Sequence, residues 1–596
     1  MDKKLLIEYS VIGLYFLFMI GTGLLFRKFN QNFNDYFRSG CRGTWWLVGS
    51  SVFMASFTAW SFTGAAGVAY DSGISVAVIF IANALGYLLN YLFTAKLFRQ
   101  MRATTAPEII LQRFNFSTQQ FYVWVGLLPG IMMASLTLWA TALFTSAVFG
   151  YNLSTMIIVI GLVVMVYSVI GGSWSVMAND FLQALILVPI TVLLGFLALK
   201  SIGGFGNIVA EVHRQNLPDL LRFVDSKPGS QFTPGWIAAM IFFVFISYNS
   251  ATASVKYFAC KDGNEARKAA LLACILMALG AVLWFIPSIV ARLQYSELIE
   301  SVKYAGVNKP GEASYAIIAM KLLPLGLSGL IVVSMFAATM SSLAPGLNQF
   351  AAIITQDIYK AFIRRNSSQK EIFVIGQITS FITGILYICF ALYFSQIKGA
   401  GLFDYMLKFG SIFGTPMVVP LFLMLFIKKT PRYSAMVSIL CSAVASVCSI
   451  RYHWSYELTV FSIIALGSIS YLATGLFWKS VSELDKKQIN DFYTKIHTPV
   501  DFEKEVGKPN DPGQLKLVGY VSLSVGLFIA LLLFVPNPWS GRMQILSVAG
   551  TITLFSLAMI GTGYAKQKEY DKLIRQNAPQ VDLKEVKLAD ATEISE

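Results

Sequence analysis

An all-α protein that crosses a membrane many times is the fold class this chain predicts, on three observations. Only 13% of its 596 residues are charged, where a soluble chain carries about a quarter, and 56% are apolar. The apolar residues gather into blocks of roughly 20, the length a helix needs to cross the hydrocarbon. Basic residues collect in alternate connections between the blocks, as the positive-inside rule requires. Lipid offers no partner to a bare backbone amide, so each block has to fold as a helix. Nothing is left over for a large soluble domain. The net charge of +14 then reads as loop charge and not as a nucleic-acid surface.

Fifteen spans follow, near residues 6–26, 45–70, 73–94, 121–149, 153–171, 179–199, 234–255, 269–291, 326–348, 371–395, 404–427, 433–450, 457–478, 517–535 and 543–564. Span 1 follows Lys3 and Lys4 but is too long for a signal peptide. No small-residue cleavage site precedes Arg27 and Lys28, so it reads as a retained span. Most of the 46 Lys and Arg lie in the odd-numbered loops and the C-terminal tail. That places the N-terminus outside and the C-terminus in the cytoplasm of a multi-pass plasma or inner membrane protein, which demands an odd number of crossings. Residues 479–516 read as a solvated cytoplasmic linker to two accessory spans, and 565–596 as a cytoplasmic tail.

Span 2 (SSVFMASFTAWSFTGAAGVAYDSG) mixes hydroxyls and glycines into what should be continuous hydrocarbon. One reading is a tightly packed central helix whose hydroxyls bond their own carbonyls. The other is a helix broken near Met54 to Ala59, whose freed carbonyls bind a cation. Span 7 carries a similar interruption from Ser247 to Ser254. Asp404 and Lys408, spaced i, i+4 in span 11, read as an ion pair near its outer end. Three scattered histidines and six scattered cysteines give no metal cluster, thiol motif or disulfide framework, and no acids or bases group as an enzyme would need.

The stretch LLPLGLSGLIVVSMFAATMSSLAPGLNQFAAIITQDIY, from Leu322 to Tyr359, carries Ala-Ala, a paired Ser-Ser, Leu-Asn and a closing Thr-x-Asp-Ile-Tyr in that order. With GGSWSVMANDFLQ (Gly171 to Gln183), APEIILQRF (Ala106 to Phe114) and GTWWLVGSSVFMASFTAWSFTGAAG (Gly43 to Gly67), it resembles the sodium:solute symporter family over roughly residues 5 to 430. The resemblance implies a ten-helix core of two inverted five-helix repeats, 45–200 and 234–427, separated by an outer loop, 201–233. One N-terminal accessory span and loop (1–44) and about four C-terminal accessory helices (428–478 and 517–564) complete the chain. Spans 2 and 7 become core helices 1 and 6, the broken pair of such transporters.

By the same resemblance, sodium would be held by the backbone carbonyls of Met54, Phe57 and Ala338 and the hydroxyls of Ser341 and Ser342. Neutral oxygens suit the task, because they bind a hard cation weakly enough to release it. Asp180 matches a ligand of a second sodium site found in some members. Those members complete that site with serines where this chain has Ala344 and Pro345, so one sodium per cycle is expected. An acidic residue at a helix start accounts for Asp180 equally well.

The pocket of the sugar-carrying members has a glutamine, a glutamate and further amide and lysine groups. At the matching places stand Ser61, Phe80, Ser250, Leu276 and Leu407, so that pattern is absent. Ser56, Trp60, Ser61, Phe80, Asn83, Tyr248 and Asn249 are the candidates to line a different pocket, with Asn90 and Trp139 beside them; ordinary core packing explains each as readily. The expected function is sodium-coupled symport of a small polar solute, a sugar derivative or sugar acid, by alternating access. An amino acid or carboxylate symporter is the nearest alternative. A channel or a transporter-like sensor is the rival from another class, but no repeated filter and no large cytoplasmic effector is present.

Overall fold

The computed structural model describes residues 3–27, 41–103, 106–168, 173–225, 231–301, 309–397, 402–507 and 511–577. Each predicted span falls on helical segments. Among the described residues, ten helices are long and apolar enough to cross a membrane, or eleven if a bent pair in span 7 counts as one. Of the other predicted spans, span 2 falls on interrupted helices, span 5 on the shorter helix Leu153–Ser168, and spans 1 and 9 on the continuous helices Lys3–Arg27 and Leu327–Ile353. Large apolar side chains on the outer faces, including Phe196, Val447 and Leu554, stay exposed as lipid-facing residues do.

Span 2 is broken where its hydroxyls cluster. Helix Trp45–Ser56 stops at Phe57 (φ −107°, ψ 85°), a single turn Ala59–Phe62 follows, and Gly64–Ser72 resumes beyond Thr63. Span 3 then starts through Gly73, at φ +64°, where a Cβ would stand 1.9 Å from the Leu220 carbonyl oxygen. Only glycine satisfies both demands there. Span 3 carries a π-helical turn at Asn90–Thr94 between Ala77–Leu89 and Ala95–Gln100. Such turns open a helix to side chains from its neighbours.

Span 7 repeats the break. Helix Pro234–Tyr248 ends at Asn249, and Ala251–Ala259 continues as a 3-10 helix at 50° to it. The inner segments of spans 2 and 7 are joined directly: the Gly43 N–H donates to the Ala259 carbonyl at 2.8 Å. Glu265, at the start of span 8, accepts from the Trp45 N–H at 3.0 Å and so caps the first turn of span 2.

Span 9, Leu327–Ile353, packs against both sides of the span 2 break and against span 6, Ser173–Ile202. Span 1, Lys3–Arg27, lies across spans 6 and 9. There the buried Glu8 carboxylate accepts from the Gly326 N–H at 3.0 Å and the Ser328 hydroxyl at 2.5 Å, capping span 9 from a different helix. Spans 14 and 15 form a close pair resting on span 6, while spans 12 and 13 pair beside spans 7 and 11.

The stretch 479–516 departs from the expected solvated linker. Helix Glu483–His497 is docked on the end of span 3 and on the short helix Ala106–Arg113 that follows it, with Ile489, Phe492, Tyr493 and Ile496 buried beneath it. Arg102 (φ +52°) forks onto Glu505 with two bonds of 2.8 Å and reaches the Pro499 carbonyl at 3.0 Å. Arg432 bonds Asp485 at 2.5 Å, Lys261 pairs with Asp511, and Gln514 donates to the Arg42 carbonyl at 2.7 Å. The linker thus touches chain next to spans 2, 3, 7 and 12, all on one side of the bundle. The predicted tail begins as helix, since span 15 continues to Asn577; its remainder, the 28–40 loop and the Asp404 side chain lie outside the described residues.

Candidate functional site

The break in span 2 leaves carbonyls that a continuous helix would bond. The Ser61 N–H, which would point at Phe57, donates to the Thr58 carbonyl at 2.9 Å instead. Among the described residues, the Thr58 N–H makes no bond back to Met54. Both Met54 and Phe57 are fully buried. A buried backbone oxygen without its helical partner costs free energy unless a ligand, water or side chain supplies one. Span 9 lies against this break, and the half-buried Ser342 hydroxyl donates to the Thr339 carbonyl at 2.8 Å, which leaves its lone pairs for an acceptor's role. On the same helix, Ser341 is the neighbour of Ser342 and Ala338 lies one turn earlier, both with side chains outside the described residues.

Asp180, on span 6, is completely buried and engaged. Its Oδ2 accepts from the Ser51 hydroxyl of span 2, and the Lys256 ammonium of span 7 stands 3.3 Å away. Lys256 also donates to the Ser51 hydroxyl at 2.8 Å. Three helices of the core therefore meet at one carboxylate, and a tethered cation from the protein itself faces it. A buried carboxylate needs such a partner to stay ionised.

The predicted solute-lining residues divide into three groups. Asn249 is saturated: its Oδ1 accepts from Asn90 at 3.1 Å and Thr94 at 2.7 Å, and its Nδ2 donates to the carbonyls of Gly86 at 3.2 Å and Phe245 at 2.9 Å. It ties the span 7 break to the π turn of span 3. The hydroxyls of Ser56 and Tyr87 bond one another, and the Tyr87 ring packs on Tyr248 with centroids 4.7 Å apart. Phe80 sits in an aromatic group with Phe57, Trp284 (5.5 Å) and Phe285 (4.8 Å), where its packing is complete. Asn83 is buried on the same helix as Phe80.

Ser61 and Trp60 behave differently. Trp60 packs on both of the two largest apolar clusters, at their junction. The Ser61 hydroxyl is buried with no hydrogen-bond partner among the described residues. In the second cluster, the Trp139 indole N–H and the Tyr387 hydroxyl are buried and equally unmatched. Buried polar groups are seldom left unmatched, so each of these three is a place where an external polar group could bond. Tyr387 escapes a sequence reading because a tyrosine among apolar residues looks like any core aromatic. Lys256 was legible as a basic residue beside the span 7 interruption, but its partner was not.

Relatives with assigned functions share this framework. A sodium/glucose cotransporter of Vibrio parahaemolyticus is 27% identical over 462 residues, 73% of this chain and 83% of its own length. A sodium/sialic acid symporter of Proteus mirabilis is 26% identical over 480 residues, covering 79% and 94%. The fold matches the solved structure of a Na+-coupled sialic acid symporter in its substrate-bound outward-open state, with a TM-score of 0.63 at 22% identity over 78% of this chain and 98% of that one. Spans 2 to 11 are accordingly a ten-helix core of two inverted five-helix repeats, carrying accessory helices at both ends. The model of the sodium:solute symporter family matches residues 36–442. Well over half of the sequence is thereby accounted for, and with its paired interrupted helices the chain belongs to the sodium:solute symporter family.

Proposed function

We propose that this protein imports a small polar organic solute together with sodium by alternating access, one sodium per cycle. The observation that carries the reading is the interruption of span 2 at Met54 to Phe57, held against the helix that bears Ser342. Carbonyl and hydroxyl oxygens gathered there form a neutral site for a hard monovalent cation, the coupling ion being cargo that must bind and leave. Ser51, Asp180 and Lys256 support the single-ion reading: an ammonium already neutralises the carboxylate that a second sodium would use.

A sugar derivative or sugar acid is the proposed solute. The relatives named for glucose and sialic acid favour it, as do the unmatched Ser61, Trp139 and Tyr387 groups, which suit a ligand bearing several hydroxyls. Sodium bound at the span 2 break favours the outward-facing state, solute then permits closure, and inward opening disperses the sodium ligands. One charge moving through a potential of about −150 mV yields roughly 3.5 kcal/mol, and a tenfold sodium gradient about 1.4 more. Together these concentrate a neutral solute more than about a thousandfold. The alternation of basic loops supports a reading with the N-terminus outside and the C-terminus in the cytoplasm.

Uptake into proteoliposomes tests the reading, with sugars, sugar acids, amino acids and carboxylates offered in turn. Saturable uptake that requires sodium, falls at least about tenfold in Ser342→Ala and moves one charge per neutral solute is expected. Conductance without saturable uptake overturns symport, and two charges per neutral solute overturns the single-ion reading.

A further inference from the structure

We propose that the crevice between the linker helix Glu483–His497 and the inner ends of spans 3 and 11 binds the headgroup of an anionic phospholipid. The cavity encloses about 610 Å³, and its walls include Phe93, Leu97, Phe426, Lys428, Tyr493 and His497. Its two sides differ in chemistry. Phe93 and Phe426, 59% and 52% exposed, face outward from membrane-spanning helices. Opposite them stands the helix ELDKKQINDFYTKIH, whose exposed positions are mostly polar or charged. A ligand filling this space has to be apolar on one side and polar on the other.

Charge selects its sign. The Tyr493 ring lies between two cations, with the Lys428 ammonium 5.8 Å and the Arg113 guanidinium 5.7 Å from its centroid. Arg113 is fully buried, and only its Nη2 is bonded, to the Thr430 hydroxyl at 2.7 Å and the carbonyls of Thr430 (3.3 Å) and Lys428 (3.4 Å). Its Nε and Nη1 have no hydrogen-bond partner, and among the described residues no carboxylate pairs with Arg113 or Lys428. The acids nearby are already taken, Glu505 by Arg102 and Asp485 by Arg432. The exposed Lys428 ammonium lines the cavity itself, and the Arg113 guanidinium, buried against the Tyr493 ring with no carboxylate paired to it among the described residues, adds to the positive field there. His497 donates from Nδ1 to the Tyr493 carbonyl at 2.7 Å, which leaves Nε2 as an acceptor for a headgroup hydroxyl.

The membrane supplies the matching partner. A phosphodiester at Lys428 would meet the charge, a glycerol hydroxyl of the headgroup could donate to His497 Nε2, and the acyl chains would run along Phe93, Leu97 and Phe426. The anionic cytoplasmic leaflet attracts basic side chains at this depth, and basic pockets between spans on that side hold lipid headgroups. Because the linker helix forms one wall, an occupied crevice also fastens that helix to spans 3 and 11.

The test is the melting temperature of the full-length detergent-solubilised protein, titrated separately with short-chain phosphatidylglycerol, phosphatidylcholine of equal chain length and inorganic phosphate. Phosphatidylglycerol is expected to raise it saturably and the other two not. Lys428→Glu should weaken the phosphatidylglycerol response about tenfold, while Lys568→Gln, an exposed charge change on the tail of span 15, should not. Thr494→Trp fills the crevice without altering charge and should weaken the response similarly if Lys428→Glu does not fold. Equal effects of the two lipids, an equal effect of inorganic phosphate, or unchanged responses in the crevice variants would overturn the proposal.

Discussion

The Lys256 ammonium lies 3.3 Å from the Asp180 carboxylate, with the Ser51 hydroxyl bonded to both. Spans 2, 6 and 7 converge on this one carboxylate, which is fully buried, while the lysine keeps part of its stem toward the inner side. A charge at this depth persists only where another answers it. The pair therefore fixes the inner segments of both interrupted helices to span 6.

Removing one member should cost more than removing both. Lys256→Met leaves a buried carboxylate unanswered and is expected to destabilise the protein by about 3–5 kcal/mol. Adding Asp180→Asn to it should recover more than half of that loss. A double-mutant cycle on thermal unfolding measures this, and additive effects would show that the two side chains do not interact in the folded protein.

Asn249 offers a second point of attack. Its amide makes four buried hydrogen bonds across spans 3 and 7, with each end matched to the correct partner type. Asn249→Asp retains the shape but turns an oxygen toward the Gly86 and Phe245 carbonyls. The expected outcome is a loss of about 2–4 kcal/mol, exceeding that of Asn249→Ser, read from melting temperatures of the purified variants.

Gly73→Ala should fail more severely still. Its φ of +64° and the Leu220 carbonyl, 1.9 Å from where a Cβ would stand, leave no position for a methyl group without moving the outer loop. Expression of monodisperse protein is expected to drop sharply, whereas Gly150→Ala, with open space around its Cβ, should cost only about 1 kcal/mol.

Docking of the 479–516 linker should depend on pH. Arg102 holds the Glu505 carboxyl below its ordinary value of 4.5, and Arg432 holds Asp485 below 3.8. Groups held down in the folded state stabilise it above those ordinary values and lose their contribution as the pH falls through the lowered ones. Hydrogen exchange across residues 483–505 should be slow at pH 5–7, after correction for intrinsic rates, and accelerate below about pH 4. Arg102→Ala should bring that release to higher pH.

The fold was readable because apolar blocks of bilayer length and alternating basic loops are local properties. The breaks were readable too, since Ser56 to Thr63 and Ser247 to Ser254 put hydroxyls where hydrocarbon belongs. What escaped depended on distant pairing. Lys256 fell one residue beyond the predicted end of span 7, and nothing local says that it meets Asp180, 76 positions earlier. The docked linker was missed for another reason. Ile489, Phe492, Tyr493 and Ile496 form an i, i+3, i+4, i+7 stripe that marks an amphipathic helix, but the surrounding lysines and acids weighed toward solvent. Whether Phe80 packs or lines a cavity turns on Trp284 and Phe285, two hundred residues away.

The single backbone hydrogen bond from Gly43 to Ala259 has a mechanical meaning. A Cβ at Gly43 would press on that same carbonyl at 2.9 Å, so the two strands of chain touch without any side chain as cushion. With so little slack, one inner segment cannot tilt while its counterpart stays still. A ligand bound on one interrupted helix would then bear on the other through this backbone contact.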